Sequence, residues 1–104
     1  MNIVQLLFNL GGDDSLKAKF KIYHEENPHV YEGFEKYAKQ LANTKVSVLS
    51  ANRIYERMRW ESDISGNDLF KLNNNYKAYY ARLFMYKHPN IQKFHTRKLN
   101  KENR

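Results

Sequence analysis

Four histidines and two pairs of adjacent carboxylates are the residues of this chain best equipped for catalysis, and their spacing argues against it. His24 and His29 lie five apart, not at the i, i+4 spacing of a helical metal pair, and Pro28 interrupts the helix between them. His88 stands directly before Pro89, and His95 falls in a basic stretch without a recognisable frame. Asp13-Asp14 and Glu25-Glu26 are neighbours in sequence, so on a helix they point in different directions. A magnesium-dependent nuclease needs several acids converging from separate elements. Gly11-Gly12 matches neither a phosphate-binding loop nor a dinucleotide fingerprint, and no serine has a plausible His and Asp arrangement. The chain has no cysteine, which removes disulfides, thiolate metal sites and Cys nucleophiles. The expectation is a non-enzymatic protein with no catalytic residue, no metal and no cofactor, its histidines solvated at helix ends.

A different chemistry is written in the segment FKLNNNYKAYYARLFMYKHPN, where three asparagines stand before an aromatic, basic helix. Charge is strongly asymmetric about this segment. Residues 1–70 hold nine Lys or Arg against ten Asp or Glu, a net of -1, whereas 71–104 hold nine basic residues against Glu102 alone, a net of +8. Clustered Lys and Arg gain affinity for phosphates by releasing counterions. Asn can pair bidentately with adenine, Lys and Arg can reach guanine or phosphate, and the free NH groups of a helix N-terminus attract phosphate. Asn74, Asn75, Lys77 and Tyr80 are therefore the expected base-reading residues. Asn73 accompanies them, and Lys71, Arg82 and Lys87 are expected nearer the backbone. Lys93, Arg97 and Lys98 would add a basic C-terminal strand. The alternative for Asn73 and Asn74 is that they cap the helix, since Asn accepts from free backbone NH groups and tolerates left-handed geometry. Asn75, further inside, suits a cap less well. The tyrosines of this segment fit core and rim better than a base-stacking platform, because Tyr79, Leu83 and Tyr86 follow helical spacing.

The elements that position these residues follow from periodicity and punctuation. The apolar NIVQLLFNL forms a short segment ending at Gly11-Gly12. Asp13, Asp14 and Ser15 open a helix with Leu16, Phe20 and Tyr23 on one side. Asn27-Pro28, as N-cap and first helical residue, starts a helix to about Asn43 whose buried stripe is Val30, Phe34, Tyr37, Ala38 and Leu41. Thr44 to Leu49 alternates and is β-branched, predicting a very short strand. Ser50 caps a helix over Ala51 to about Glu61 with Ala51, Ile54 and Met58 inward, Tyr55 flanking and Trp60 as a core anchor. Arg53, Arg57 and Arg59 read as a solvated face, with Arg57 and Glu61 as an i, i+4 pair. ISGND is a turn by composition, and LFKL is a candidate strand. The last helix, about Asn74 to Lys87, ends before His88-Pro89. Its Tyr76, Tyr79, Tyr80, Leu83, Phe84 and Tyr86 exceed one narrow stripe, so some of these rings should be exposed. KFHTRKL alternates as an edge strand would.

The chain of 104 residues is 41% apolar and 14% aromatic, enough to build one core despite a mean hydropathy of -0.85. The expected fold class is mainly α with a small β component, a helix-turn-helix or winged-helix-like single domain. Residues 1–12 form an apolar N-terminal segment, 13–99 a helical core with candidate wing strands, and 100–104 a basic flexible tail. No run approaches the roughly 20 apolar residues that span a bilayer, and the N-terminus lacks the basic region of a signal peptide. A cytoplasmic protein without membrane contact is expected.

The segment from Ala51 through Leu99, and especially RMRWES, FKLNNNY, YYARLFMYKHP and FHTRKL, resembles a family of small uncharacterised phage and prophage proteins. The upstream NPHVYEGFEKYA is similar to that family's N-terminal helix. The resemblance implies a phage setting, hence a bacterial cytoplasm, and a helical fold with short strands; it implies no mechanism. The apolar first ten residues and the lysine-rich KLNKENR end lie outside it. The function expected is nucleic-acid binding, duplex DNA in particular, through the helix after Asn73. The alternative is a protein-interaction module that binds and modulates a bacterial enzyme or defence complex through exposed tyrosines and Arg82. A homodimer is compatible with both.

Overall fold

The structure, a computed structural model, describes residues 14–66, 70, 72–91 and 94. Among them the chain is mainly helical: α1 (Asp14–Glu26), α2 (Pro28–Ala42), α3 (Ala51–Ser65), one 3-10 turn (Asn74–Tyr76) and α4 (Lys77–Lys87). The N-terminal segment 1–12, the tail 100–104, Lys71, Lys93, Arg97, Lys98 and most of KFHTRKL lie outside the described residues.

Phe20 is fully buried, with Leu16 and Tyr23 packed partly beside it, as the spacing of α1 predicts. Asn27 occupies the N-cap position of α2 but makes no side-chain cap bond there. Its amide instead donates to Tyr23 O at 3.0 Å, finishing α1, and Pro28 alone pre-sets the first turn of α2. Val30, Phe34, Tyr37 and Ala38 of the α2 stripe are buried as expected, Leu41 is only half-buried, and Tyr31 and Gly33 join the buried face.

Between α2 and α3 the expected strand shrinks to one residue. The Thr44 hydroxyl donates to Leu41 O at 2.6 Å and accepts from the Val46 NH at 3.2 Å, drawing the start of TKVSVL into a turn at the end of α2. Among the described residues only Leu49 pairs, through a single parallel bridge to Phe94. Phe70 and Leu72 of LFKL are in no strand.

Ser50 caps α3 as predicted, its Oγ accepting from the Arg53 NH at 3.2 Å. The helix continues a turn beyond Glu61, taking in Ile64 and Ser65, and ends at Gly66 with φ 76°. That left-handed terminus is one glycine adopts without a Cβ clash. Trp60 does not anchor the core: it is 61% exposed. It lies two residues, about 200° of helix rotation, beyond the fully buried Met58, and so points away from the packed face.

α4 is buried on most of its circumference. Tyr79, Tyr80, Ala81, Leu83 and Phe84 are all enclosed, leaving Ala78, Arg82, Met85 and Tyr86 as the partly open strip. Of the rings expected to exceed one stripe, only Tyr86 is exposed. The others are accommodated because α4 packs against both α2 and α3. The Phe20 ring lies 5.0–5.3 Å from those of Tyr76, Tyr79 and Tyr80. Tyr80 stacks on Phe34 at 5.7 Å, and Phe94 closes the far side against Phe34 and Phe84.

Candidate functional site

Asn73 is extended, and its side chain accepts from the Asn75 NH at 2.8 Å, so it caps the 3-10 turn. Its carbonyl accepts from the buried Tyr55 hydroxyl at 3.0 Å and from the Tyr76 NH at 3.0 Å. The start of the asparagine run is thus tied to the middle of α3. Asn74 does something else: its Oδ1 accepts from Arg59 Nη2 at 2.6 Å. Arg59 also pairs with Glu56 at 2.8 Å, and its guanidinium lies 5.6 Å from the Tyr55 ring centroid. Lys77 Nζ donates to Asn52 Oδ1 at 2.9 Å. The Asn75 side chain is exposed and makes no hydrogen bond among the described residues.

Asn52, Glu56 and Arg59 follow i, i+4, i+7 spacing, which places them on one face of α3 opposite Asn74 and Lys77. The outcome is an exposed polar cluster of amides, two cations and one carboxylate at the N-terminal end of α4. Sequence reasoning selected Asn74, Asn75 and Lys77 from it but missed Asn52 and put Arg59 on a solvated face. The spacing along α3 was the available signal.

The remaining expected residues are dispersed. Tyr80 is fully buried, between Phe20, Tyr31 and Phe34. It is a core residue and has no surface with which to touch a base. Arg82 lies half-buried on the open strip of α4, with Nη1 donating to Ala78 O at 3.3 Å. Burial holds its guanidinium pKa below the usual arginine value. Lys87 is about 15 Å further along the helix axis from Lys77, by rise per residue. There its Nζ lies 5.0 Å from the Tyr31 ring centroid. The connection from α3 to α4 runs from 66 to 76, far longer than the three- or four-residue turn of a helix-turn-helix.

The expected solvated histidines are corrected in two of four cases. His24 is half-buried, stacked on Phe20 and edge-on to Tyr31 and Tyr80. Burial, then the nearby Lys87, lowers its pKa. His88 Nε2 meets Glu35 Oε2 at 2.7 Å, and the Tyr31 hydroxyl donates to the same carboxylate oxygen at 3.3 Å. Burial pushes the Glu35 pKa upward, but the His88 hydrogen bond and the Lys39 charge outweigh it and leave the pKa lowered. His29 is exposed, and His95 lies outside the described residues. Among the described residues no three His, Asp or Glu side chains gather as metal ligands would, and no helix is long and apolar enough to cross a membrane.

No family model, curated protein or solved structure matches the chain.

Proposed function

We propose that this protein binds nucleic acid, without catalysis, at the N-terminal end of α4. The observation that supports this most directly is the cluster formed by Asn52, Arg59, Asn74 and Lys77, with the exposed Asn75 beside it. It opens the part of the chain that carries the +8 charge. Amides and cations held in register on two helices offer hydrogen bonds to base edges and charge to phosphates together. In the duplex DNA form of this proposal, the N-terminal end of α4 and the facing side of α3 meet a major groove together, without the short turn of a helix-turn-helix. The basic residues beyond Phe94 supply charge for the phosphate backbone. Tyr79, Tyr80, Leu83 and Phe84 take no part, because they are buried in the core.

Fluorescence anisotropy with random duplex DNA, single-stranded DNA and RNA across a salt series tests it. Binding should weaken steeply as salt rises. Lys98→Ala should lower affinity for all sequences and reduce the salt slope by about 1, whereas Asn75→Ala should alter sequence preference. Unchanged affinity after charge substitutions in the last third refutes the proposal.

A second function is favoured by one surface. Trp60 and Ile64, 61% and 63% exposed, lie one turn apart on the outer side of α3, with Arg53 and Arg57 continuing the same stripe. Tryptophan and arginine together are the composition of protein-binding hot spots. A stoichiometric protein partner retained from nuclease-treated bacterial lysate, and lost with Trp60→Ala, would favour a protein-interaction module.

A further inference from the structure

Between α1, α3 and the segment leading to α4 lies an open recess of about 560 Å³. This is within the roughly 300–1,000 Å³ of small-molecule sites. Tyr23, Phe70 and Leu72 form its apolar walls, and Arg59, Ser62 and Asp63 bring polar groups to it. Arg59 is shared with the amide and cation cluster, so the recess opens beside the face proposed for nucleic acid. Ser62 is only 9% exposed, and its Oγ is buried without a hydrogen-bond partner. A buried hydroxyl left unsatisfied beside a recess is a group that a ligand can satisfy. Asp63 is exposed and forms no ion pair among the described residues, although the chain carries an excess of cations.

These groups narrow the occupant. The Asp63 carboxylate, which makes no ion pair among the described residues, repels phosphate, so its side of the recess suits an uncharged part of a nucleic acid, while Arg59 in the same lining suits the backbone. Aromatic walls suit a planar base. Among the common bases, guanine alone offers two adjacent donors on its pairing edge, N1–H and N2–H, and a carboxylate accepts from both at once. The O6 beside them is an acceptor for a hydroxyl such as that of Ser62. That edge is occupied in a duplex and free in an unpaired strand.

We infer that the recess lined by Tyr23, Phe70, Ser62 and Asp63 takes a single unpaired guanine base. This rests on the nucleic-acid proposal for its phosphate contacts and extends it to an unpaired form and a particular base. Arg59 links the two regions, since the side chain that holds Asn74 also borders the recess.

The test uses the full chain and short oligothymidylates with one guanine, hypoxanthine, adenine or cytosine at the centre. Their affinities are measured by anisotropy at several salt concentrations. Guanine should bind about tenfold tighter than hypoxanthine, which lacks the N2 amino group, and than adenine. Asp63→Asn, at an exposed position that leaves the core intact, should erase that preference while preserving the salt dependence of the adenine oligomer. Free guanosine, which carries no phosphate, should shift the ring-proton resonances of Tyr23 and Phe70, and Ser62→Ala should weaken that shift. Equal, salt-dependent binding of all four oligomers overturns the guanine recess and leaves the nucleic-acid proposal standing. Absence of binding by every oligomer at low salt overturns the guanine recess, and the nucleic-acid proposal falls with it only if duplex DNA and RNA also fail to bind. Guanosine without effect on either ring overturns the recess alone.

Discussion

Two buried tyrosines of the core should respond in opposite directions to loss of the same oxygen atom. Tyr80 is fully buried, and its hydroxyl has no hydrogen-bond partner. Tyr55 is equally enclosed, but its hydroxyl donates to Asn73 O at 3.0 Å. A hydroxyl desolvated without compensation destabilises a protein by about 1–3 kcal/mol. Tyr80→Phe removes that penalty but leaves a small void, so a gain of about 1 kcal/mol is expected. Tyr55→Phe loses one intramolecular bond, a loss of about 1 kcal/mol. It is not larger because Asn73 O keeps the Tyr76 NH at 3.0 Å. The two variants should therefore differ by about 2 kcal/mol, or roughly 8–16 °C in Tm for a domain near 100 residues. Urea unfolding followed by far-UV circular dichroism is the appropriate assay, because Trp60 is exposed in the folded state and reports burial poorly. Similar m-values would show that the midpoints compare stability alone. Tyr80→Phe as destabilising as Tyr55→Phe would refute the reasoning and imply that a buried water satisfies the Tyr80 hydroxyl.

Further outcomes concern pH and the two described glycines. His24 and Glu35 both have lowered folded pKa values, from ordinary values of 6.5 and 4.5. Each therefore contributes stability that is complete above its ordinary value and lost as pH falls. Urea midpoints should decline below about pH 6.5 and again below about 4.5, and Glu35→Gln should remove only the second decline. Burial raises the pKa of Tyr31, Tyr55 and Tyr80 well above the ordinary 10.0. Their contribution is complete below pH 10 and lost above it, so alkaline circular dichroism should show cooperative unfolding there. Gly66→Ala should cost about 1 kcal/mol although nothing lies within 4 Å of the added Cβ, because φ is +76°. Gly33→Ala places a Cβ 2.8 Å from Phe70 Cε1. The gain of about 1 kcal/mol in helix propensity should be more than offset by crowding, with the Phe70 ring resonances displaced.

Much of the fold was legible because its signals are local. Proline at the start of α2, serine before α3 and His88-Pro89 after α4 act within a few residues, and the α2 stripe follows from rotation per residue alone. Of the misjudged features, two turn on local geometry that residue type alone overrode, and one depends on neighbours distant in sequence. Trp60 was assigned to the core by residue type, yet rotation from Met58 turns it outward. TKVSVL has strand composition, but the Thr44 hydroxyl closes a turn on Leu41 O. Tyr80 stood at a suitable place to read a base, and the packing of α4 between α2 and α3 put it inside.

The candidate site divides in the same way. Composition by itself determined that charge collects in the last third and that amides precede the final helix, since both are properties of order along the chain. Only the tertiary structure decided which side chains share a surface. It joined Arg59 to Asn74 and Lys77 to Asn52 across 15 and 25 residues, and laid Lys87 over the Tyr31 ring of α2. Hydrogen bonds between helices depend on how their faces meet, and that geometry is settled by packing of the whole aromatic core.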